Sequence, residues 1–129
     1  NHRMGLYDMA MIKDNHLAGN DIGTLKARIG AFRKRYRGVK IQVEASNLRE
    51  LGLVLSLRPE FILLDNMGAG SLRKAIRYIR RRAPRIKIEI SGGVDLKSLR
   101  RLAKLGADRI SVGKITHSAP ALDISMKLT

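Results

Sequence analysis

The chain has no cysteine and no tryptophan, and only 4% of its 129 residues are aromatic. Without cysteine it can form neither a disulfide framework nor a thiolate metal site. No uninterrupted apolar run approaches the roughly 18 residues that a membrane-spanning helix needs, and the first residues carry no signal-peptide pattern. We therefore expect a cytoplasmic protein that has no membrane partner.

Acidic residues are also scarce. Eleven Asp and Glu oppose 26 Lys and Arg, which gives a net charge of +15 and a pI near 11.1. Such a charge first suggests nucleic acid. Much of the excess, however, lies in two predicted helices that contain Arg33-Lys34-Arg35 and Arg80-Arg81-Arg82, and few aromatic side chains could stack on bases. We disfavour nucleic acid; the alternatives are a solvated cationic helix face and a positive potential that steers anionic substrates.

Five apolar runs alternate with stretches of helical periodicity. The runs are Met9–Ile12, Ile41–Val43, Phe61–Leu64, Ile88–Ile90 and Ile110–Val112, and they lead into Lys13, Glu44, Asp65, Ser91 and Gly113. Strands that alternate with helices predict an α/β fold with a mainly parallel sheet. Because binding groups sit at the C-terminal ends of such strands, we expect these five residues to converge on a phosphorylated, anionic substrate.

Helix starts are predicted from capping residues. The predicted caps are Thr24, Asn47 with Glu50, Ser71 and Asp95, and the predicted stops are Gly38, Pro84 and Gly106. Alternating apolar and polar residues over 122–128 predict one more strand.

The strands have two unlike faces. Ile41, Val43 and Ala45 alternate with Lys40, Gln42 and Glu44, and residues 86–91 repeat the pattern. Apolar faces covered by helices, with polar faces turned inward, suit a barrel whose interior is polar near its mouth. Four βα units are about half of a (β/α)₈ barrel of roughly 250 residues. We therefore predict that residues 1–129 form a single domain, half of a TIM-like barrel and the second part of a larger one that lacks its first strands here.

Two carboxylates are candidates for polar chemistry. Glu44 and Asp65 supply oxygen atoms suited to sugar hydroxyls or to Mg²⁺, and the alternative is a structural ion pair with Lys13 or Lys87. No Ser-His-Asp or metal-histidine spacing stands out, which disfavours a hydrolase or a zinc enzyme.

Small residues before a helix start suggest an anion pocket. Ser91-Gly92-Gly93 precedes Asp95, and backbone N–H groups there could hold phosphate. An ordinary βα turn is the alternative. Gly113 with Thr116-His117-Ser118 could form the other wall, although a lone histidine such as His117 is more often a plain loop residue. The opening cluster of His2, Arg3, Lys13, Asn15 and His16 suits a dianionic ligand.

Several segments together resemble a known family. NHRMGLYDMAMIKDNH, VEASNL, LLDNM, EISGGV and ISVGKITHSAPALDIS resemble, in order and spacing, the C-terminal half of quinolinate phosphoribosyltransferase over essentially the whole chain. The resemblance implies transfer of phosphoribose from phosphoribosyl pyrophosphate to quinolinate. That reaction releases pyrophosphate and CO₂ and yields nicotinate mononucleotide for NAD synthesis. It also implies Mg²⁺ bound with phosphoribosyl pyrophosphate, and no organic cofactor.

The resemblance also assigns residue roles. It implies that His2 and Arg3 contact the quinolinate carboxylates, and that Lys13 lines the quinolinate and pyrophosphate region. Glu44 and Asp65 are expected to hold the ribose hydroxyls and the metal-bound sugar phosphate, so Lys13, Glu44 and Asp65 are the catalytic candidates. The 5′-phosphate is expected against Ser91, Gly92 and Gly93, with Gly113 and the Thr116-His117-Ser118 turn beside them. Val112, Gly113, Lys114 and His117 are further substrate-binding candidates.

The chain departs from the family pattern in two ways. Gln42 stands where the family usually has a second Glu, and the family's TRK and GGG region is absent with its N-terminal domain. Because the family completes its active site across a homodimer, we expect a homo-oligomer. The alternative is a catalytically silent half-barrel, a fragment or an engineered chain, that binds phosphate-like anions and self-associates. The related pyrophosphorylase-like protein of molybdenum transport operons is disfavoured because the HR, KDNH and THSAPALD motifs are intact.

Overall fold

The computed structural model describes residues 9–113, apart from the side chains of Asp14 and Ala18. The elements are β1 (Met9–Ile12), α1 (Asp14–Ala18), α2 (Ile22–Arg35), β2 (Lys40–Ala45), α3 (Leu51–Ser56), β3 (Phe61–Asp65), α4 (Ala69–Arg82), β4 (Lys87–Ser91), α5 (Leu96–Ala103) and β5 (Arg109–Ile110). The strand predicted over residues 122–128 lies outside the described part. Within that part, no helix is long and apolar enough to cross a membrane.

The described strands form a parallel sheet in which each strand pairs with the next along the chain. The order is β1-β2-β3-β4-β5, and all four pairings are parallel. A doubly wound sheet reverses its strand order at a switch point, whereas a barrel adds its strands in sequence. The prediction of parallel βα units from a barrel is therefore confirmed.

The two faces of the strands differ as the alternation predicts. The outward face of β2 carries Ile41, Val43 and Ala45, which are at most 2% exposed and belong to the apolar core under the helices. The inward face carries Gln42 and Glu44, which are also buried although they are polar. The sheet therefore has an apolar outer side and a polar inner side.

Helix α4 shows how the outer side is covered. Leu72, Ala75, Ile76 and Ile79 recur at helical spacing and are buried in the core cluster. The prediction that Pro84 enforces the helix end is confirmed, since α4 stops at Arg82. A helix stripe of this width buries its apolar side chains on the sheet and leaves its charges to solvent.

Two predicted helix starts are wrong. Asp21, not Thr24, caps α2: its carboxylate oxygens accept hydrogen bonds from Gly23 N and Thr24 N, each at 2.9 Å. The Thr24 hydroxyl donates to the same carboxylate at 2.7 Å, and this bond with the two backbone bonds lowers the pKa of Asp21 below its ordinary value. Helix α4 begins at Ala69 after Gly68, so Ser71 already lies inside the helix.

The other starts are closer to prediction. Asp95 caps α5 as expected, and its Oδ1 accepts from Ser98 N at 2.7 Å. Asn47 Oδ1 accepts from Glu50 N at 3.2 Å, but the Glu50 side chain accepts from Ser46 N instead of closing a capping box on Asn47.

Two elements differ in extent or were not predicted. β5 covers Arg109–Ile110 and not Ile110–Val112, and the short helix α1 was not predicted.

Candidate functional site

A cavity of about 840 Å³ opens at the C-terminal edge of the sheet. Its lining includes all five residues that follow or end the apolar runs: Lys13, Glu44, Asp65, Ser91 and Gly113. Its other lining residues are Met11, Leu63, Glu89, Arg109, Ile110, Ser111 and Val112. Residues that are as much as 100 positions apart in sequence thus share one cavity because the sheet is parallel and its strand ends coincide.

Strand register places the two carboxylates side by side. Glu44 pairs with Leu63, and Asp65 lies two residues further along β3 and pairs with Ser91. Neighbouring strands are about 4.8 Å apart and two residues advance about 6.6 Å, so the Cα atoms of Glu44 and Asp65 are about 8 Å apart. Glu44 is 9% exposed and Asp65 is half-buried. Hydroxyl groups of a small ligand could donate to both carboxylates at once.

The alternative of an ion pair with Lys87 is wrong. Lys87 begins β4 and pairs in register with Phe61, at the opposite end of the strand from Ser91. Its Nζ atom is 3.1 Å from Asp108 Oδ1. Lys13, in contrast, lines the same cavity as both acids and brings a positive charge to it.

The Asp65-Asn66 pair packs against the turn after β4. Asn66 Nδ2 donates to Asp65 Oδ2 at 2.6 Å, and Asn66 N donates to Ser91 O at 3.0 Å. A Cβ atom on Gly92 would overlap Asn66 Oδ1 and lie 2.6 Å from Asn66 N. Only glycine allows this approach of the turn to Asn66, whose side chain donates to the Asp65 carboxylate.

Two successive glycines shape that turn. Gly92 and Gly93 have φ of +82° and +61°, a region that side chains disfavour. They adjoin the cavity through Ser91 and are not among its lining residues. Asp95 Oδ1 already accepts from the N–H of Ser98 at the start of α5, so an anion near Ser91 would be bound through other amides of this segment, including those of the glycine turn.

Four predicted site residues cannot be placed. His2, Arg3, Lys114 and His117 lie outside the described residues, as do Thr116 and Ser118.

Within residues 9–113, no group of three His, Cys, Asp or Glu side chains could hold a metal ion. Glu44 and Asp65 are therefore a two-carboxylate set, which is fewer ligands than a dedicated protein site for calcium or zinc would use.

Sequence reasoning gave no site role to Glu89, Ser111 or Arg109, although all three line the cavity. The alternation of β4 and β5 was the available signal, since Glu89 precedes Ser91 by two residues and Ser111 precedes Gly113 by two. Residues two apart in a strand face the same side.

A second cavity, of about 580 Å³, lies at the N-terminal ends of the strands. Lys40, Phe61 and Arg109 line it, and the Arg109 guanidinium carbon is 4.6 Å from the Phe61 ring centroid. Residues at the N-terminal face of a (β/α) sheet typically stabilise the fold through such packing, whereas ligands bind at the C-terminal face. We therefore place the candidate site at the C-terminal edge.

Comparison with known proteins agrees with this geometry. The family model described as "Quinolinate phosphoribosyl transferase, C-terminal domain" matches residues 1–127. The chain belongs to this family.

Known members of the family match this chain along almost its whole length. The nicotinate-nucleotide pyrophosphorylase [carboxylating] of Mycobacterium leprae is 38% identical over 128 residues, which are 99% of this chain and 44% of the relative. The solved nicotinate-nucleotide pyrophosphorylase from Francisella tularensis is 32% identical with a TM-score of 0.75, and the match covers 97% of this chain and 42% of that one. The chain thus spans less than half the length of the relatives it matches.

A more distant match supports the fold alone. The solved 3-hexulose-6-phosphate synthase is 15% identical with a TM-score of 0.60, over 87% of this chain and 55% of that one. The five parallel strands and their helices match part of a TIM-like barrel.

Proposed function

We propose that this chain provides the sugar- and phosphate-binding edge of an enzyme that makes nicotinate mononucleotide. The enzyme transfers phosphoribose from phosphoribosyl pyrophosphate to quinolinate and releases pyrophosphate and CO₂. The observation that carries the proposal is the shared cavity of Lys13, Glu44, Asp65, Ser91 and Gly113 in a chain of this family. The relatives' printed name, a carboxylating pyrophosphorylase of nicotinate nucleotide, describes the same reaction in reverse.

The reaction develops positive charge on the sugar, and the site must stabilise that charge. The pyridine nitrogen of quinolinate forms a bond to C1 of the ribose while the C1–O bond to pyrophosphate breaks, and the electron pair leaves with pyrophosphate. Positive charge develops at C1 during this step, and preorganised carboxylates stabilise such charge. We assign this role, and the holding of the ribose hydroxyls, to Glu44 and Asp65, because both line the cavity.

Loss of CO₂ follows from the new bond. The alkylated ring nitrogen accepts the electron pair released when the adjacent carbon–carboxylate bond breaks, and a proton takes the place of CO₂. Cationic residues need only orient the substrate here. Lys13, on the cavity wall, is proposed to orient the quinolinate carboxylates and the departing pyrophosphate. By resemblance, His2 and Arg3 share the contacts to the quinolinate carboxylates.

The 5′-phosphate is assigned to the other side of the cavity. Ser91, the Gly92-Gly93 turn and Gly113 offer a hydroxyl and backbone amides, which suits a phosphate. Val112, Lys114 and His117 complete this group by resemblance.

Magnesium fits the two-carboxylate set. Mg²⁺ keeps several waters and is usually bound by one or two carboxylates together with substrate phosphates. Glu44 and Asp65 would hold an ion that arrives with phosphoribosyl pyrophosphate, where it would neutralise charge on the pyrophosphate.

Release of CO₂ from carboxyl-labelled quinolinate tests the proposal on the polypeptide that carries this chain. With phosphoribosyl pyrophosphate and Mg²⁺ we expect turnover, and we expect Glu44→Gln with Asp65→Asn to lower kcat by about 100-fold or more. The matched control is Asp108→Asn, at the opposite end of the sheet, which should leave kcat/KM within about twofold. Absence of CO₂ release by the wild type, or full activity of the double variant, would contradict the proposal.

A second candidate is a catalytically silent half-barrel that binds phosphate-like anions. The observation in its favour is the turn of Gly92 and Gly93, whose backbone amides could hold phosphate whether or not turnover occurs. Calorimetry with inorganic phosphate separates the two: phosphate binding that Gly93→Val abolishes, without CO₂ release, would favour this candidate. Gly93 has φ of +61° and open space around its Cβ position, so Val acts on the backbone conformation and not by a clash.

The proposed setting is the cytoplasm, and the proposed assembly is a homo-oligomer. β1 and β5 are the edge strands of the described sheet, and unpaired edges favour association. Sedimentation at roughly tens of micromolar checks the assembly, and a stable monomer would count against it.

A further inference from the structure

A polar cluster lies at the base of the candidate site, and two of its three members, Glu89 and Ser111, line the cavity. It consists of Gln42, Glu89 and Ser111. Glu89 Oε2 accepts a hydrogen bond from Gln42 Nε2 at 2.9 Å, and Glu89 Oε1 accepts one from the Ser111 hydroxyl at 2.5 Å. Gln42 and Glu89 are 0% and 1% exposed. One carboxyl group thus joins side chains of β2 and of the segment that follows β5.

Each member of the cluster stands two residues before a residue of the cavity edge. The pairs are Gln42 with Glu44, Glu89 with Ser91, and Ser111 with Gly113. Residues two apart face the same side of a strand and are separated by about 6.6 Å. The cluster therefore links the three strands that carry one proposed ribose-binding acid and both proposed phosphate-binding turns.

Stability alone does not account for this cluster. A buried carboxyl group is costly unless it is hydrogen-bonded. Because both Glu89 oxygens accept, the Gln42 amide must turn its nitrogen toward Glu89. Its oxygen is then buried with no hydrogen-bond donor in the described part of the chain. Apolar side chains of similar volume would fill the same space without that cost.

The ligand supplies a reason for such a link. The ribose hydroxyls and the 5′-phosphate belong to one small, covalently fixed unit, so the groups that bind them must keep a matched separation. A misplacement of about 1 Å can lower a rate by about 100-fold. Side chains on three strands hold such a separation only if the strands are tied together.

We propose that Glu89 is a positioning residue. Through Gln42 and Ser111 it fixes the separation between Glu44 and the phosphate-binding turns at Ser91 and Gly113. This inference rests on the proposed function, because it assumes a sugar phosphate that spans those groups.

Three variants separate geometry from charge. Glu89→Leu keeps a similar volume but removes both hydrogen bonds, and it should raise KM for phosphoribosyl pyrophosphate about tenfold while KM for quinolinate stays unchanged. Glu89→Gln can still accept from Ser111 and can donate to the Gln42 oxygen after that amide turns over, so its KM should stay within about threefold of wild type. Ser111→Ala removes one bond and should lie between these two.

Calorimetry with ribose 5-phosphate gives a second readout that does not need turnover. Its Kd should rise in the same order across the variants. Asp108→Asn is the control for loss of stability, because it should lower Tm without changing either KM or Kd.

The outcomes are distinct. If Glu89→Leu folds and changes only Tm, the cluster is structural and the inference fails; it also fails if Glu89→Gln is impaired as strongly as Glu89→Leu. If Glu89→Leu does not fold, unchanged KM and Kd in Ser111→Ala overturn the inference by themselves. A wild type without CO₂ release and without ribose 5-phosphate binding would instead overturn the proposed function.

Discussion

The described chain contains one arrangement twice. The first unit runs from α2 to β3 (residues 22–65), and the second runs from α4 to β5 (residues 69–110). Each unit is helix, strand, helix, strand. The first helices, Ile22–Arg35 and Ala69–Arg82, are both 14 residues long. Their starts are 47 positions apart, which is the length of one repeat.

The same three groups join the N-terminal ends of the strands in both units: an arginine, a carboxylate and the N–H of a strand residue, together called the clip. In the first unit, Arg33 is 3.0 Å from Glu60, and Glu60 Oε2 accepts from Ile41 N at 2.8 Å. In the second, the corresponding groups are Arg80, Asp108 and Ile88 N, the last at 2.9 Å. The arginine also donates to a backbone carbonyl in each unit, at the corresponding positions Arg58 and Gly106.

The C-terminal ends of the units differ. Glu44 and Asp65 of the first unit correspond to Ser91 and Gly113 at the end of the second. One unit thus brings carboxylates to the cavity, and the other brings a hydroxyl and backbone amides. The N-terminal ends of the two units are thus alike, whereas their C-terminal ends, which carry the residues of the proposed binding site, differ.

The largest expected effect is at the divergent end of the second unit. Gly92→Ala would place a Cβ atom 2.6 Å from the backbone N of Asn66 at φ of +82°, so it should lower the free energy of unfolding by about 3 kcal/mol. The matched control is Gly30→Ala in α2, where nothing lies within 4 Å, and this should add about 0.5 kcal/mol. Urea unfolding of both variants measures the difference. Equal stability of the two would show that the Asn66 contact is not a constraint.

The two clips should differ in strength. Burial opposes ionisation of Asp108, but hydrogen bonds from Arg80, Ile88 N and Lys87 outweigh it and lower its pKa from 3.8 to about 2. The side chain of Asp108 is 23% exposed and that of Glu60 is 43% exposed. Allowing for solvent screening, Asp108→Asn should cost about 1 kcal/mol at neutral pH and Glu60→Gln about half of that.

The pH dependence of Asp108 follows from the direction of its pKa. Because the folded value lies below the unfolded one, the stabilisation is complete above about pH 4 and is lost as the pH falls toward 2. The difference in unfolding free energy between wild type and Asp108→Asn should therefore shrink between pH 5 and pH 2. A difference that grows over this range would contradict the clip.

Effects of similar or smaller size are expected at the two turns that precede Glu60 and Asp108. Arg58 has φ of +51°, whereas the corresponding residue of the second unit is Gly106 at φ of +85°. A residue with a side chain is destabilised by about 1 kcal/mol in this region. Replacing it by glycine removes that cost, but the greater freedom of glycine in the unfolded chain offsets part of the gain. Arg58→Gly should raise the free energy of unfolding by about 0.5 kcal/mol and with it Tm. Gly106→Arg should lower the free energy of unfolding by about 1 kcal/mol, and Tm should fall. A lower Tm for Arg58→Gly, or a higher Tm for Gly106→Arg, would contradict the correspondence of the two turns.

Periodicity predicted the elements better than their ends. The five apolar runs became the five described strands, because alternation reports which face of a strand is buried. Thr24 and Ser71 failed as caps because a hydroxyl residue looks the same in sequence whether it precedes a helix or lies in its first turn. Which residue caps depends on where the chain leaves the preceding turn.

The candidate site was predicted in outline for a similar reason. Lys13, Glu44, Asp65, Ser91 and Gly113 were identified because a parallel sheet places the ends of its strands together. The close packing of Gly92 on Asn66 was not predicted, since it depends on how two turns approach each other.

The sequence by itself determined the order of strands and helices, the apolar and polar sides of the sheet, and the residues at its C-terminal edge. These features follow from residue spacings of two to four, which can be read from a short stretch of sequence. The tertiary structure alone decided that Gln42 reaches Glu89, 47 positions away, that Glu89 in turn holds Ser111, and that Arg80 closes on Asp108. Such contacts depend on strand register and on the approach of side chains in three dimensions, and no local spacing encodes either.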